Sequence, residues 1–327
     1  MNNRIRWAGL IILNLTYIFF LLSGCNIQGR GKRNVIIFHA GSLSVPFKRL
    51  AEEYRKSHPD INILLESAGS LVSARKITEL KKSCDIMASA DYFVIDELLI
   101  PEYADWSIKF ATNEIVIAFT DRSEYSSAIN SENWTDILLR DNVIYGRSDP
   151  DSDPCGYRSV LAVKLAEIYY GEPGLTEKFL NKNKNFIRPK EVDLIALAES
   201  NAIDYMFQYK SVAVQHGFRF IELPSAINLS DPDRNDLYGS VSVDIAGRSP
   251  GQRMQVQGDY INYSLTILRD APMKEEAISF IGFMLSPAGE KIFRDCGQEP
   301  LVPPVTDRPG LIPEQLKKYF ETEKTAI

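Results

Sequence analysis

The chain of 327 residues is 45% hydrophobic and 24% charged, with a formal net charge of −6 at pH 7. This length is long for a single core and natural for two lobes, which imply a cleft between them. An acidic chain without blocks of Lys or Arg argues against nucleic acid as a partner, and beyond the N-terminal segment no apolar stretch is long enough to span a bilayer.

The N-terminus has the pattern of an export signal. Two arginines precede an apolar run over 7–22, and small residues then lead to Cys25, which is the order of a signal peptide and its cleavage site. The sequence LSGC that ends at Cys25 resembles the bacterial lipobox, whose cysteine becomes the lipidated first residue of the mature chain. We therefore expect a signal peptide over 1–24, lipidation of Cys25 and a polar tether over 25–33. A plain cleaved signal peptide with an incidental cysteine, or an uncleaved anchor, are the alternatives.

Three further cysteines are widely spaced along the chain. An odd, scattered set is not a disulfide framework, and no C-x-x-C pair indicates zinc. We expect Cys84, Cys155 and Cys296 to be small buried apolar residues. One disulfide among them stays open as an alternative in an oxidising exterior.

The first part of the mature chain repeats one local pattern twice. A β-branched run over 35–38 is followed by a Gly/Ser turn that contains Ser42, and then by apolar residues at helical spacing. A second run over 61–65 ends in a similar turn that contains Ser70, and again a helix follows. Such turns present backbone N–H groups and a hydroxyl at the positive end of a helix, so they suit an anion. A single serine of this kind is equally typical of an ordinary helix cap.

Two carboxylates and a tyrosine occupy comparable positions in the second half of the chain. In an acidic, proline-containing loop over 148–159, Asp153 directly precedes a helical pattern, so it either caps that helix or faces a ligand. Pro189 marks another helix start, with Glu191 in its first turn, where a carboxylate complements the helix dipole without any ligand. Tyr209 ends a strand, a position where tyrosine is often a core residue with a satisfied hydroxyl.

The alternation of strands and helices predicts an α/β architecture with mainly parallel sheets. An apolar strand over 114–119 is predicted to be the last one before the second lobe, and a strand over 260–268 returns the chain to the first. The predicted lobes are 34–118 with 262–327, and 119–261. In such sheets ligands bind at the carboxyl ends of strands, which is where the two Gly/Ser turns are expected.

Seven motifs of this chain resemble those of the tungstate/molybdate-binding proteins of ABC importers, in the archaeal-type branch of that family. The motifs extend over nearly the whole mature chain, and the two longest are the most specific. They are HAGSL (39–43), SAGS (67–70), ASADY (88–92), DPDSDPCGYRS (149–159), RPKE (188–191), DYMFQYKSVA (204–213) and LSPAGE (285–290).

The resemblance implies a two-lobed periplasmic-binding-protein fold of type II, which holds an oxyanion in the cleft between the lobes. It implies that Ser42, Ser70 and Tyr209 bind oxyanion oxygens and that Asp153 and Glu191 supply carboxylates. Our hypothesis is that the two carboxylates coordinate the tungsten or molybdenum centre directly, as hard oxygen ligands.

The implied biology follows from the same resemblance. The protein is expected to be a membrane-anchored lipoprotein outside the cytoplasm that delivers tungstate or molybdate to an ABC permease. No cofactor is implied, and because one chain suffices for a cleft and a hinge we expect a monomer. The sequence does not rank tungstate against molybdate.

Two alternatives belong to other classes. The same fold could bind sulfate or phosphate, which the two carboxylates disfavour only if both face the cleft. A secreted hydrolase would need His39 or His216 to face one of the two serines, and the sequence contains no G-x-S-x-G elbow. His39 is predicted to be a packed residue beside the first turn.

Overall fold

Two mixed β-sheets form the framework of the protein. The computed structural model describes residues 33–249 and 251–321. Within these ranges the chain forms a six-stranded sheet, a five-stranded sheet and a separate two-stranded sheet. All three belong to one compact unit that begins at Asn34.

The strands are numbered in chain order. They are β1 Arg33–His39, β2 Ile61–Ser67, β3 Ile86–Ser89, β4 Ile108–Thr112, β5 Ile115–Phe119, β6 Tyr145–Ser148, β7 Ile187–Arg188, β8 Tyr205–Tyr209, β9 Arg219–Glu222, β10 Ser242–Ala246, β11 Arg253–Gln257, β12 Asn262–Ile267 and β13 Glu299–Val305.

The α-helices are numbered in the same way. They are α1 Ser44–Ser57, α2 Ser70–Thr78, α3 Tyr92–Leu98, α4 Trp134–Leu138, α5 Pro154–Tyr170, α6 Leu175–Asn181, α7 Asp193–Glu199, α8 Lys210–Gln215, α9 Asn235–Tyr238, α10 Lys274–Met284, α11 Pro287–Asp295 and α12 Glu314–Lys317. Short 3₁₀ turns occur at Gly41–Leu43, Lys184–Phe186, Pro232–Arg234 and Pro309–Leu311.

Most of the predictions for the N-terminus concern residues that the structure does not describe. The predicted signal peptide over 1–24, Cys25 and all but the last residue of the tether lie outside the described residues. Among the helices that are described, none combines the length and the hydropathy required to cross a membrane.

The six-stranded sheet has the order β13-β4-β12-β3-β1-β2. Strands β1 and β3 are parallel, whereas β12 runs antiparallel to both β3 and β4. The prediction of mainly parallel sheets is therefore wrong. The chain reaches β12 after leaving the second sheet, which faces the carboxyl ends of β1 and β3, and a strand that starts at that end must run in the opposite direction.

The five-stranded sheet has the order β7-β6-β8-β5-β9. Strand β5 pairs antiparallel with β8 and β9, so the strand predicted at the end of the first lobe belongs to the second sheet. Its five residues are all buried, and such a continuous apolar run fits the centre of either sheet equally well. Only its hydrogen-bond partners show to which sheet β5 belongs. The lobe boundaries as a whole stay a prediction.

Helix α1 illustrates how the sequence builds the core beneath the first Gly/Ser turn. Its buried side chains Phe47, Leu50, Ala51 and Tyr54 recur every three or four residues and form one face. The ring of Tyr54 meets that of Phe280 in α10 edge to face, with 5.3 Å between centroids. Burying a side chain of this size contributes roughly 1.5–3 kcal/mol, so this contact anchors α1 to α10.

Candidate functional site

Asp153 lies immediately before α5, as predicted, but it does not cap that helix. Its side chain accepts no hydrogen bond from the first turn of α5. Instead Oδ2 accepts one from the backbone N–H of Glu191, at 3.2 Å. Oδ1 is buried and finds no hydrogen-bond partner among the described residues. This carboxylate therefore contacts the loop of Glu191 and does not cap the helix that it precedes.

Glu191 is displaced from its predicted position in the secondary structure. Helix α7 begins at Asp193, so Glu191 lies in the loop before the helix and not in its first turn. The side chain is fully buried, and neither carboxylate oxygen accepts a hydrogen bond of standard geometry within the described ranges. Asp153 and Ser42 nevertheless lie near enough to lower its pKa against the effect of burial. Both oxygens lie against Gly41, where an added Cβ would be 2.8 and 2.9 Å from them. The dipole interpretation therefore does not account for this residue.

The two carboxyl groups form a tight buried pair. Burial raises the pKa of Asp153 well above its ordinary value, and the negative charge of Glu191 raises it further. Burial likewise raises the pKa of Glu191. Two like charges buried side by side are stable together only if protons or a positive centre compensate them.

The two predicted serines are both buried at the ends of strands of the first sheet. Ser42 lies in the 3₁₀ turn after β1, and its Oγ accepts a hydrogen bond from the Tyr263 hydroxyl at 2.9 Å. Ser70 is the first residue of α2 after β2, and its Oγ accepts from the backbone N–H of Ala90 at 3.1 Å. Since each hydroxyl accepts a hydrogen bond from the protein, each can donate its own proton to a ligand oxygen.

Tyr209 ends β8 with its side chain fully buried. Its hydroxyl has no hydrogen-bond partner in the described part of the chain, which differs from the satisfied core tyrosine that was the alternative. Burial raises the pKa of this phenol well above its ordinary value, so the group stays protonated and available as a donor. Its ring lies 5.8 Å from that of Tyr263, measured between centroids.

Close backbone contact brings the two halves of the site together. A Cβ added at Gly69 would lie 2.2 Å from the carbonyl oxygen of Ser152 and 3.2 Å from that of Pro189. The turn that carries Ser70 is therefore pressed against both the loop of Asp153 and the loop of Glu191. Cys155 is buried beside the pair, and after burial itself, the charges of Asp153 and Glu191 raise the pKa of its thiol.

Three residues that support the site were not predicted. Gln208 holds two site residues with one buried amide, donating from Nε2 to the Glu191 carbonyl at 3.0 Å and accepting from the Tyr209 N–H at 2.9 Å. Tyr263 and Asn113 reach Ser42 through hydrogen bonds. Gln208 lies within a motif that the sequence singles out, but nothing in the local pattern distinguishes Tyr263 or Asn113 from core residues.

His39 is a packed residue, as predicted. Its ring lies 5.6 Å from that of Phe47, and its Nδ1 is 2.8 Å from the carbonyl oxygen of Ala40. Burial lowers its pKa to about 4, so the ring is neutral and hydrogen-bonded within its own turn. A hydrolytic role with Ser42 gains no support from this geometry.

The donor set does not resemble a site for a resident metal ion. Among the described residues no group of three or more His, Cys, Asp or Glu side chains could hold one. The cysteines Cys84, Cys155 and Cys296 are all free and buried, as expected for small apolar residues. Hydroxyl donors around two carboxylates instead fit a ligand that brings its own oxygens.

The arrangement of two mixed sheets defines the fold, which is that of the two-lobed periplasmic binding proteins. The periplasmic molybdate-binding protein of Azotobacter vinelandii superposes with a TM-score of 0.60 at 14% sequence identity, over 81% of this chain and 98% of that one. At so low a sequence identity, this likeness shows that the two proteins share a fold and nothing about the ligand.

The family is established by sequence. Residues 35–299 match the family described as bacterial extracellular solute-binding protein, and the chain belongs to it. An uncharacterized solute-binding protein of Petrotoga mobilis is 44% identical over 289 residues, covering 88% of this chain and 90% of that protein. The molybdate/tungstate-binding protein WtpA of Pyrococcus abyssi is 42% identical over 348 residues, covering 97% of this chain and 99% of that protein. The chain is thus an extracytoplasmic solute-binding protein and not an enzyme. This confirms the predicted location outside the cytoplasm and the preference for a binding protein over a hydrolase.

Proposed function

We propose that this protein captures tungstate or molybdate for an ABC importer and that Asp153 and Glu191 coordinate the metal centre of the bound ion. Ser42, Ser70 and Tyr209 donate hydrogen bonds to its oxygens. The observation that carries the proposal is the buried carboxylate pair, because three of its four oxygens accept no hydrogen bond of standard geometry from the described residues.

The chemistry of the anion supports this assignment. Preorganised hydroxyl and amide donors bind a dianion without a cationic side chain, but carboxylates repel one unless they are protonated or touch a positive centre. Sulfur in sulfate and phosphorus in phosphate do not readily take further oxygen ligands. W(VI) and Mo(VI) do, so carboxylates attract these ions at the metal and reject the others.

The relatives point to the same ligand. The Pyrococcus abyssi protein, which is named a molybdate/tungstate-binding protein, aligns with almost the entire chain. The same holds for the Thermococcus kodakarensis protein of that name, which is 39% identical over 358 residues. The alternative of sulfate is supported by likeness of fold alone, since the sulfate-binding protein SubI of Mycobacterium tuberculosis matches with a TM-score of 0.60 at 12% identity.

The setting of this function is part of the proposal. Lipidation of Cys25 would keep the protein at the membrane beside its permease, and closure of the lobes over the ion would create the surface that the permease recognises. Mass spectrometry of the membrane-associated protein should find a lipid on an N-terminal Cys25. A chain that begins before Cys25, or a Cys25 without lipid, would contradict lipid anchoring.

Calorimetric titration with tungstate, molybdate, sulfate and phosphate in one buffer tests the ligand. We expect tight one-to-one binding of tungstate or molybdate and no heat from sulfate. Binding of sulfate or phosphate instead, or of none of the four anions, would overturn the proposal.

A further inference from the structure

A chain of buried hydrogen bonds runs from the crossover between the sheets to Ser42. It begins at Asn113, which lies between β4 and β5. The Oδ1 of Asn113 accepts from the backbone N–H groups of Glu114 at 2.9 Å and of Ser211 at 3.4 Å. These two backbone donors fix the orientation of the amide, because only its oxygen can accept from them.

The amide nitrogen of Asn113 therefore faces the next member of the chain as a donor. Its Nδ2 lies 3.0 Å from the hydroxyl of Tyr263 and 2.7 Å from that of Ser211. An amide N–H cannot accept a hydrogen bond. The phenolic proton of Tyr263 must consequently go to another acceptor.

That acceptor is Ser42. The Tyr263 hydroxyl lies 2.9 Å from Ser42 Oγ, and Tyr263 is fully buried in β12. Burial raises the pKa of this phenol, which keeps its proton in place. The backbone of Ser42 is held independently, because its carbonyl accepts from Gln298 Nε2 at 3.1 Å.

We propose that Tyr263, oriented by Asn113, is a positioning residue that fixes the Ser42 hydroxyl as a hydrogen-bond donor toward the ligand. Because Ser42 Oγ accepts the hydrogen bond of Tyr263, its own proton is directed to an acceptor in the site. The neighbouring acceptor in the ligand-free protein is the Glu191 carboxylate, and in the complex it is an oxygen of the bound anion. The inference rests on the proposed function. The same series of hydrogen bonds includes Ser211 of α8. It therefore connects the Ser42 hydroxyl to elements of both sheets.

A double-mutant cycle tests this role. Tyr263→Phe keeps the buried ring and removes only the hydroxyl, and Ser42→Ala removes the group through which Tyr263 acts. Calorimetry should show that Tyr263→Phe weakens the binding of tungstate or molybdate about tenfold in the wild-type background. In the Ser42→Ala background the same change should alter the affinity less than about twofold, since coupled residues are not additive.

Tyr145→Phe is the matched control. Tyr145 is another buried tyrosine, whose hydroxyl donates to the Phe179 carbonyl at 2.6 Å in the second lobe. We expect it to leave the affinity unchanged although it loses a similar bond.

The outcomes separate the two proposals. Equal losses from Tyr263→Phe in both backgrounds, or no loss in either, would overturn the role of Tyr263 while tungstate or molybdate binding by the wild type stands. Absence of wild-type binding to both anions would overturn the proposed function and this inference with it.

Discussion

The carboxylates of Asp153 and Glu191 are unusual residues to bury side by side. A buried carboxylate without a hydrogen-bond partner is destabilising, because it loses its hydration and gains nothing in return. Such a cost is tolerated mainly at functional sites. The pair therefore distinguishes the site from the surrounding core more clearly than the serines do.

Neutralising both carboxylates should change which anion binds. We expect the double variant Asp153→Asn, Glu191→Gln to bind tungstate at least about tenfold more weakly, because amide oxygens are poorer ligands for a high-valent metal. Rejection of sulfate should relax, since the repulsion is gone. Titration with both anions measures this, with Asp121→Asn on the exposed surface as control. Unchanged binding of both anions would contradict the hypothesis that the two carboxylates coordinate the metal centre.

The pair should also give the ligand-free protein a characteristic dependence on pH. Its carboxyl groups have raised pKa values in the folded state, compared with ordinary values of 3.8 and 4.5. Their contribution to stability is therefore fully present below the ordinary pKa values and is lost as pH rises through the raised ones.

Asp153→Asn remains neutral throughout that pH range. It should raise the melting temperature of the ligand-free protein at pH 7, by an amount equivalent to about 1 kcal/mol, and have little effect below about pH 4. Scanning calorimetry across this range provides the measurement. The same shift at both ends of the range, or a lower melting temperature at pH 7, would contradict the assigned pKa directions.

At the scale of elements, the two strand–turn–helix units are what place donors at the cleft. Gly69 has an ordinary conformation for any residue, with φ −58° and ψ 143°. It is required because the carbonyl of Ser152 would lie 2.2 Å from a Cβ. The need for glycine thus comes from the other lobe and not from the turn itself.

Gly69→Ala should consequently weaken ligand binding. We expect a loss of affinity on the order of a hundredfold, because the arrangement in which the Ser70 turn lies against the loop of Asp153 becomes sterically unfavourable. The melting temperature of the ligand-free protein should fall as well, because that contact belongs to the described fold. Titration and thermal unfolding together measure both effects. Gly310→Ala is the control, since no atom lies within 4 Å of its added Cβ. Normal affinity in Gly69→Ala would show that closure does not need this contact.

Local chemistry predicted some of these elements well and others poorly. The Asp-Pro sequence correctly placed Asp153 at the start of α5, since proline in the first turn is a strong local signal. Glu191 was placed in a helix that starts two residues later, because Pro189 also fits a loop. The roles of Tyr263 and Asn113 depend on contacts distant in sequence, which periodicity does not encode.

At the scale of the whole molecule, a buried ion pair connects the two lobes. Arg158 of α5 lies 2.6 Å from the carboxylate of Asp91, which caps α3, and both side chains are almost completely buried. Tyr157 donates to the same carboxylate oxygen at 2.6 Å. Arg158 also donates to the carbonyl of Asp259, in the loop that leads back to the first sheet. The network lies where the chain returns between lobes.

Breaking this pair on one side should be costly. Asp91→Asn leaves the guanidinium buried without its counter-charge, and we expect the free energy of unfolding to fall by about 3 kcal/mol or more. Asp295→Asn breaks the exposed pair with Lys291 and should cost less than about 1 kcal/mol. Urea denaturation compares the two. Similar small losses in both variants would mean that the Arg158 pair does not hold the lobes.

The buried thiol of Cys155 can serve as a chemical probe of the movement between the lobes. A thiol-alkylating reagent reaches that sulfur only while the lobes are apart, because the group is fully buried beside Asp153 when they are together. The rate of modification then reports how often the cleft opens, and a bound ion should slow it. Cys84, buried away from the cleft beside Asp85, should react at a rate that the ion leaves unchanged.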